Sequence, residues 1–260
     1  MCPRGTWLIP EFEPTNVSHC LLIETPSSGL ILVDTGLGDA ALRNPLRTLG
    51  SRAVSVGVQR DPAASALEQV RARGFDPADV QHIIPTHLDY DHAGGLVDFP
   101  DAVVHVTEVE LAAAQDRNRR GFAQVRYDDR AWAHGPNWQT YDDDRGTGGW
   151  MGIDGVRPFE GLPPEFLLVP LAGHTLGQIG VAVDLPDGRR LLHAGDSYYA
   201  RREVLAGRRS IRQRLFHHLT DADYLARKNV AWRCEEMIRF HPEIAVISSH
   251  DPYEWAAWRA

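Results

Sequence analysis

Short apolar runs that end in small or polar residues recur along this chain. They lie at Leu30–Val33, His82–Pro85, Ala102–Val106, Phe166–Leu171, Ile179–Asp184, Arg190–His193 and Ile244–Ile247. Runs of this length bounded by turn residues are typical of buried strands. Because segments with helix start and stop signals alternate with these runs, the pattern predicts a layered α/β fold.

The polar positions between the runs predict where the chain turns and where helices begin. Residues 19–36 are predicted to form a hairpin around Pro26-Ser27-Ser28-Gly29, which are turn-forming residues. Helices are predicted from Asp61-Pro62 to about Arg73 with Gly74 as the cap, from a capping box at Thr107–Glu110 to about Gln115, and from about Asp221 to Phe240.

The stretch from about 116 to 160 breaks this alternation because it is polar and rich in glycine. Structureless segments of this length are uncommon unless they serve a function, so we interpret it as an insertion that folds over the site. Trp150 and Met151 are candidates for lining an apolar substrate pocket. Anchoring of the segment to the core explains them equally well.

The composition is that of an ordinary globular protein. The chain has 260 residues, 43% of them hydrophobic and 24% charged, which suits a single domain spanning 1–260. No apolar run approaches the roughly 20 residues that a membrane helix needs. The first residues lack the pattern of a secretory signal, so a cytoplasmic location is expected.

Charge and cysteine content exclude some classes of function. The formal net charge of −8 would repel a phosphate backbone, which disfavours nucleic-acid processing. The three cysteines, Cys2, Cys20 and Cys234, form no C-x-x-C pair. Neither a disulfide framework nor a thiolate zinc cluster is therefore predicted.

The candidate chemistry is concentrated in Thr86–Gly95. This segment follows an apolar run and places two imidazoles and two carboxylates within six positions: His87, Asp89, Asp91 and His92. Such a mixture of donors suits Zn, Fe or Mn. The small residues Ala93-Gly94-Gly95 are expected to let the backbone come close to whatever is bound.

Further metal-binding residue types stand at the ends of three later strand-like runs. His174, Asp196 and His250 each follow such a run beside small residues. If these strand ends share one edge of a sheet sandwich, seven ligands converge on one cleft.

In these motifs the chain resembles the metallo-β-lactamase superfamily, whose pattern is a His-x-His-x-Asp-His loop followed by a lone His, a lone Asp and a last His. The resemblance covers nearly the whole chain and implies a four-layer αββα sandwich. It also implies two divalent metal ions, with zinc as the first expectation. One ion would be held by His87, Asp89 and His174, the other by Asp91, His92 and His250, and Asp196 would bridge them. Asp34 looks like the superfamily's supporting Asp, although a turn-forming role is nearly as well supported.

Asp89 departs from this pattern, because the family usually has His at that place. A carboxylate is a harder ligand than imidazole and makes Fe or Mn more favourable. The departure also leaves open a first metal position that is weak or empty.

Within the superfamily, the N-acyl homoserine lactonases look closest. Their bridging Asp is followed three residues later by a Tyr, as Asp196 is by Tyr199, and their last ligand lies in a His-Asp pair, as in His250-Asp251. The resemblance implies that a hydroxide held by the metals and Asp196 attacks an ester carbonyl. Tyr199 would donate a hydrogen bond to that carbonyl, and Asp91 would protonate the leaving alkoxide. The expected partner is a small ester or lactone, with a hydrophobic acyl part left open, and no nucleic acid or membrane; a homodimer is also left open.

Other functions remain open at this point. A glyoxalase II-like thioesterase would share all the ligands but should carry a C-terminal basic region for glutathione. A β-lactamase would have Cys in place of Asp196. A binding module on a decayed site and an iron redox protein are alternatives from another class, and Asp89 is their support. The remaining histidines are expected to be structural or on the surface; among them, His193, three residues before Asp196, is the one that is also a candidate for supporting a metal ligand.

Overall fold

A computed structural model of the chain describes residues 4–5, 16–142, 148–185, 187–205 and 211–256. The chain divides into two compact units. The first unit is Met1–Val106 with Ala114–Gln139, and the second is Thr107–Ala113 with Thr140–Ala260. The N-terminal residues used to predict a location, and Cys2, lie outside the described residues.

A five-stranded mixed sheet belongs mainly to the first unit, with strand order β3-β4-β5-β6-β7. Its strands, together with a short antiparallel ribbon of β1 and β2, are β1 (Arg4–Gly5), β2 (Asn16–Val17), β3 (Leu21–Thr25), β4 (Gly29–Val33), β5 (Val80–Ile84), β6 (Val103–Thr107) and β7 (Asn137–Tyr141). The predicted hairpin is confirmed as the antiparallel pair β3 and β4. β4, β5 and β6 run parallel, so their carboxyl ends lie at one edge of the sheet.

Short helices connect these strands. They are α1 (Asp39–Arg43), α2 (Pro45–Leu49), α3 (Ser51–Ser55), α4 (Ala66–Ala72), α5 (Tyr90–Ala93), α6 (Glu108–Gln115) and α7 (Ala123–Arg126). The helix predicted from Asp61 begins later than expected. A 3-10 turn covers Pro62–Ala64, and the Ser65 hydroxyl then caps α4 by accepting from the Glu68 N–H at 3.2 Å.

The capping box predicted at the start of α6 is only half formed. The Thr107 hydroxyl accepts from the Glu110 N–H at 3.3 Å, as expected. The Glu110 carboxylate instead accepts from the Gly177 N–H at 3.2 Å. A tertiary hydrogen bond therefore replaces the local one.

The second unit is built on a six-stranded sheet with strand order β13-β12-β11-β10-β9-β8. Its elements are β8 (Gly148–Trp150), β9 (Ile153–Pro158), β10 (Phe166–Pro170), β11 (Ile179–Asp184), β12 (Arg190–His193), α8 (Arg201–Leu205), α9 (Ile211–Thr220), α10 (Tyr224–Phe240), β13 (Ile244–Ile247) and α11 (Pro252–Ala256). Neighbouring strands are antiparallel except β12 and β13, which are parallel.

Helix α10 covers part of this sheet. Ala231, Cys234 and Met237 recur every three residues on one side of α10 and pack in the core with Leu192 and Val246. Cys234 is fully buried, and burial raises the pKa of its thiol to about 12. It therefore acts as a small buried hydrophobe, as predicted.

The stretch 116–160 contains more regular structure than its polar sequence suggested. It includes α7, a 3-10 turn at Asp129–Trp132, β7, β8 and β9. Trp150 and Met151 pack against the core of the second unit, in agreement with anchoring. Residues 143–147 lie outside the described part of the chain. The single domain and the site-covering role of this stretch stay predictions.

The predicted α/β class is confirmed, with two mixed sheets flanked by helices. Across the described residues, no helix is both long and apolar enough to cross a bilayer.

Candidate metal centre

Two segments of the first unit lie at the carboxyl ends of neighbouring parallel strands. Asp34 follows β4, and Thr86–Gly95 follows β5. Since β4 and β5 pair in parallel, these segments meet at one edge of the sheet. The loop that carries the candidate metal ligands is thus positioned beside Asp34 by strand register.

Asp34 is a buried residue that organises the loop through both carboxylate oxygens. Oδ1 accepts from the Thr86 N–H at 2.6 Å, while Oδ2 lies 2.9 Å from His92 Nδ1 and 3.1 Å from the Thr86 hydroxyl. Its φ of 58° places it in the left-handed region, which Asp tolerates better than most residues. The supporting role predicted for Asp34 is confirmed.

This network fixes the tautomers of both loop histidines. A carboxylate only accepts, so His92 donates its Nδ1–H to Asp34. Thr86 also donates to Asp34, and its oxygen then accepts from His87 Nδ1, which lies 3.1 Å away. Both imidazoles therefore carry their lone pair on Nε2, as metal-binding histidines do.

The glycines of the loop serve the packing of the chain against itself. A Cβ on Gly94 would lie 2.6 Å from the Leu37 carbonyl oxygen, and one on Gly95 would lie 2.8 Å from that of Thr35. Thr35 also donates its N–H to the His92 carbonyl at 2.7 Å. These glycines therefore allow the loop to pack against the turn after Asp34, and their closeness to a bound group stays a prediction.

Each loop histidine faces a carboxylate at a distance that suits a shared ion. His87 Nε2 lies 3.6 Å from Asp89 Oδ2, and His92 Nε2 lies 3.9 Å from Asp91 Oδ2. Two donors bound tetrahedrally at about 2.1 Å from one zinc ion are about 3.4 Å apart. The donor set and spacing of these pairs fit divalent metal ions.

Asp89, the departure in the motif, has a cation on its other side. Arg126 Nε lies 3.5 Å from Asp89 Oδ1, and both side chains are buried. Sequence analysis did not identify Arg126, because it lies in the polar stretch and no motif marks it.

In the second unit, Asp196 lies between two histidines. Its Oδ2 is 3.1 Å from His250 Nε2 and 3.6 Å from His174 Nε2. All three residues are buried and follow β12, β13 and β10. One carboxylate oxygen shared by two imidazoles is the arrangement that a bridging ligand requires.

Buried residues that carry no motif hold His174 in place. Its Nδ1 lies 3.1 Å from Asp221 Oδ1, and Asp221 Oδ2 accepts from Arg227 Nε at 2.7 Å. Burial raises the pKa of the Asp221 carboxyl, but hydrogen bonds from His174 and His217 and the charge of Arg227 outweigh it and hold the pKa well below its usual range. Asp221 thus stays ionised and keeps the His174 lone pair on Nε2.

The turn that carries Asp196 is held by three neighbours. Gln178 Oε1 accepts from the Asp196 N–H at 3.3 Å, and Arg227 donates to the Ser197 carbonyl at 3.0 Å. His193 Nδ1 accepts from the Gly195 N–H at 3.4 Å, and its role in supporting a metal ligand stays a prediction.

The adjacent tyrosines have different environments. Tyr199 stacks on His250 with ring centroids 5.0 Å apart, and its ring meets that of His174 edge-on at 6.2 Å. Tyr198 is fully buried and donates its hydroxyl to Glu254 at 2.8 Å. Burial first and the nearby Glu254 charge raise the pKa of Tyr198. Tyr199 is therefore the tyrosine associated with the candidate ligands.

Asp251, the residue paired with His250 in sequence, has a structural role. Its Oδ1 accepts from the Tyr253 N–H at 2.8 Å at the start of α11, and its Oδ2 accepts from the Arg201 N–H at 2.7 Å. It fixes the segment that follows β13.

The seven predicted ligands thus fall into two clusters, each within one unit: His87, Asp89, Asp91 and His92 in the first, and His174, Asp196 and His250 in the second. Their convergence on a single site stays a prediction.

Comparison with known proteins places these residues in a family context. The family model of the metallo-beta-lactamase superfamily matches residues 14–250. A probable metallo-hydrolase of Mycobacterium tuberculosis is 36% identical over 243 residues, which cover 90% of this chain and 74% of the relative. The N-acyl homoserine lactonase AttM of Rhizobium radiobacter is 25% identical over 211 residues, covering 76% and 68%.

The fold is also found in solved structures. An N-acyl homoserine lactone hydrolase with the product N-hexanoyl-L-homoserine at its catalytic metal centre superposes with a TM-score of 0.73 at 19% identity, covering 98% of this chain and 93% of that one. The dizinc quorum-quenching lactonase AidC gives a TM-score of 0.59 at 17% identity, covering 92% and 74%.

Proposed function

This chain belongs to the metallo-beta-lactamase superfamily and is a hydrolase of that superfamily, and we propose that it uses two divalent metal ions to open the ester bond of a lactone such as an N-acyl homoserine lactone. The observation that carries the proposal is the Asp196 carboxylate, whose Oδ2 faces both His174 and His250. The lactonases among the relatives and the similar folds support the ester as the bond attacked.

In the proposed site, the two clusters contribute to both metal positions. His87, Asp89 and His174 would hold one ion, Asp91, His92 and His250 would hold the other, and Asp196 would serve both. When bound, the ions lower the pKa of a water molecule and polarise the ester carbonyl. Zinc is the first expectation, and the Asp89 carboxylate also suits Fe or Mn.

Asp91 is proposed to protonate the leaving alkoxide. It starts α5, and its side chain is 21% exposed, against 8% for Asp89. Of these two carboxylates, it is the one that a substrate in solvent reaches more easily. Its Oδ2 also lies 3.9 Å from His92 Nε2, beside a candidate metal donor, where it could take up the proton that the attacking water gives up and pass it to the leaving alkoxide.

Tyr199 is proposed to donate a hydrogen bond to the substrate carbonyl. Its ring is fixed against His250, and its backbone N–H is held by Glu203 at 3.0 Å. A hydroxyl on a ring held in this way loses little entropy when it binds a developing oxyanion.

The proposal extends to the partner and the setting of the protein. A net charge of −8 favours a neutral small molecule over a nucleic acid. A hydrophobic acyl chain, a cytoplasmic location and a homodimer remain predictions.

The test combines metal analysis with a hydrolysis screen of lactones, linear esters and thioesters. We expect about two metal ions per chain and turnover of lactones, and Asp196→Ala should lose both. Asp91→Asn should keep the metals and lose at least about 100-fold in kcat, since general acid catalysis contributes that much. The exposed Asp187→Asn is the matched control and should behave like the wild type.

Either of two results would contradict the proposal. One is a fully metallated protein that hydrolyses thioesters faster than lactones, which would favour the glyoxalase II-like alternative. The other is a metallated protein that binds lactones without turnover, which would favour a binding module.

A further inference from the structure

We propose that Arg126 sets the metal affinity of the position served by Asp89, holding that ion more weakly and exchangeably than the ligands alone would. This inference rests on the proposed two-metal site. It concerns a residue that belongs to no motif and that the proposed mechanism does not use.

The guanidinium is built into the loop's surroundings. Arg126 is 4% exposed, and its charged group lies 5.2 Å from the ring centroid of Phe122 and 6.0 Å from that of Tyr127. The backbone of Tyr127 also forms an antiparallel bridge with Asp89. Arg126 is therefore held beside Asp89 by its neighbours in sequence as well as by charge.

The two oxygens of Asp89 face opposite partners. Oδ1 lies 3.5 Å from Arg126 Nε, and Oδ2 lies 3.6 Å from His87 Nε2. Oδ2 thus lies beside the imidazole donor and Oδ1 beside the guanidinium, so Asp89 is placed to bind an ion through one oxygen while Arg126 attracts the other.

Electrostatics decides the direction of the effect. Arginine keeps its charge at all relevant pH values, so Arg126 shares the negative charge of Asp89 with any ion that binds there. It also repels a dication directly, and burial leaves this repulsion poorly screened. Both effects lower the affinity of the position for a divalent ion.

Arg126 also explains how a carboxylate is accommodated there. Without a cation beside it, a buried Asp89 would be an uncompensated charge in the metal-free protein. With Arg126 in place, the loop keeps its structure when the ion leaves, so the ion can exchange without unfolding the loop.

The experiment measures zinc dissociation constants by competition with a chromophoric chelator. Wild type should show two constants. Arg126→Gln should tighten the weaker constant by about tenfold or more, because charges at this range inside a protein interact by more than one decade in an equilibrium constant. Arg126→Lys keeps the charge and should stay within about threefold of wild type. Arg130→Gln removes the charge of an exposed arginine of the same unit that pairs with Asp128, and it should leave both zinc constants unchanged.

A second pair of variants covers the case in which Arg126→Gln does not fold without metal. Asp89→His and the double variant Asp89→His with Arg126→Gln both lack the buried carboxylate. The double variant should bind the weaker ion about tenfold or more tightly than Asp89→His alone.

Distinct outcomes separate the failure of this inference from that of the proposed function. If wild type binds fewer than two ions at saturating zinc, the two-metal proposal fails. The role of Arg126 is overturned if wild type binds two ions but the weaker one is bound no more tightly when Arg126→Gln is introduced, either alone or together with Asp89→His. It is also overturned if Arg126→Lys tightens binding as much as Arg126→Gln does.

Discussion

Asp34 shows how one side chain can determine the chemistry of residues more than 50 positions away. It accepts from His92 directly and reaches His87 through Thr86. Its negative charge and its acceptor geometry are both needed, because only a pure acceptor forces the proton onto Nδ1 of each imidazole.

Replacing Asp34 by Asn therefore tests the tautomer argument with little change of shape. Asn tolerates the left-handed backbone at this position. If its amide nitrogen faces His92, it donates to Nδ1 and moves the imidazole proton to Nε2, which blocks ligation. We expect metal binding to weaken by about 10–100-fold, measured by chelator competition.

Asp98→Asn is the control for this prediction. Asp98 is a carboxylate of the same unit that accepts a backbone N–H, that of Asp39 at 2.8 Å, and its pKa is raised to about 6, chiefly by burial. This variant should keep wild-type metal affinity. Equal losses in both variants would contradict the role assigned to Asp34.

At this scale the sequence was informative where residue type and strand-end position coincide. The candidate ligands and Asp34 stand in motifs that follow apolar runs. Asp221 and Arg126 do not, because each acts through a contact made only after distant segments have packed, and many charged residues of this chain look the same in sequence.

At the scale of elements, the loop after β5 and the turn after β4 pack with backbone against backbone. The Gly94 position admits no side chain, because its Cβ would meet the Leu37 carbonyl. This contact places α5, which carries Asp91 and His92, against the turn that follows β4.

Gly94→Ala should therefore destabilise the protein by about 1–3 kcal/mol through overpacking, measured by urea denaturation. Gly149→Ala is the matched control. The nearest atom to its Cβ would be 3.5 Å away, at ordinary contact distance. The free energy of unfolding should therefore fall by at least about 1 kcal/mol less in this variant than in Gly94→Ala. Equal free energies of unfolding for the two variants would mean that the turn gives way easily.

The segment of β13 and α11 depends on a buried carboxyl, Glu254. It accepts from the Tyr198 hydroxyl and from the Ser248 N–H, both at 2.8 Å. Burial is the largest cause that raises its pKa, from 4.5 to about 7, although the hydrogen bonds from Ser248 and Tyr198 oppose the shift.

This shift predicts a pH-dependent stability with a definite sign. The folded state binds the proton more tightly than the unfolded state, so the contribution is fully present below about pH 4.5 and is lost as pH rises through about 7. Glu254→Gln mimics the protonated form. The difference in free energy of unfolding between this variant and wild type should therefore rise in favour of the variant by on the order of 1–3 kcal/mol from pH 5 to pH 8.

Denaturant unfolding at both pH values measures this gain. The exposed Glu165→Gln should show the same difference from wild type at pH 5 and pH 8. A Glu254 variant that follows the wild-type pH profile would show that the carboxyl is ionised throughout.

Strand positions were predictable because their apolar runs are short and bounded by turns, as in the β3–β4 hairpin. The start of α4 was not, because Asp61-Pro62 and Ser65 are both good helix starts and only packing decides between them. The strands within 116–160 were missed because edge strands such as β8, Gly148–Trp150, need little apolar sequence.

On the scale of the whole molecule, three of the candidate ligands are carboxylates, and the protein that carries them is already acidic. The net charge is −8, and Asp89, Asp91 and Asp196 lie close to other candidate ligands. Divalent ions would offset this repulsion and bind only the folded state.

Removal of metal by a chelator should therefore lower the melting temperature. An ion present at 100 times its dissociation constant stabilises by about 2.7 kcal/mol, which corresponds to a shift on the order of 5–10 °C for a chain of this size. Thermal scans with and without chelator, followed by addition of zinc, measure the effect. Asp196→Ala should respond much less, and a wild type that melts at the same temperature in both conditions would contradict metal binding.

The superfamily and the α/β class could be predicted from the sequence because motif order and strand alternation extend over most of the chain. The division into two compact units could not, since its boundary runs through α6 and β7 rather than through a linker. No change of composition marks such a boundary.

The Asp89–Arg126 ion pair restricts which substitutions these two positions can accept during evolution. Mutation of either position alone leaves a buried charge without its counterpart, a change that selection removes. Substitutions there should therefore be inherited in pairs, and related chains with histidine at the position of Asp89 should rarely keep arginine at that of Arg126. An alignment of such chains would show the two positions covarying although they are 37 positions apart in sequence, at 89 and 126.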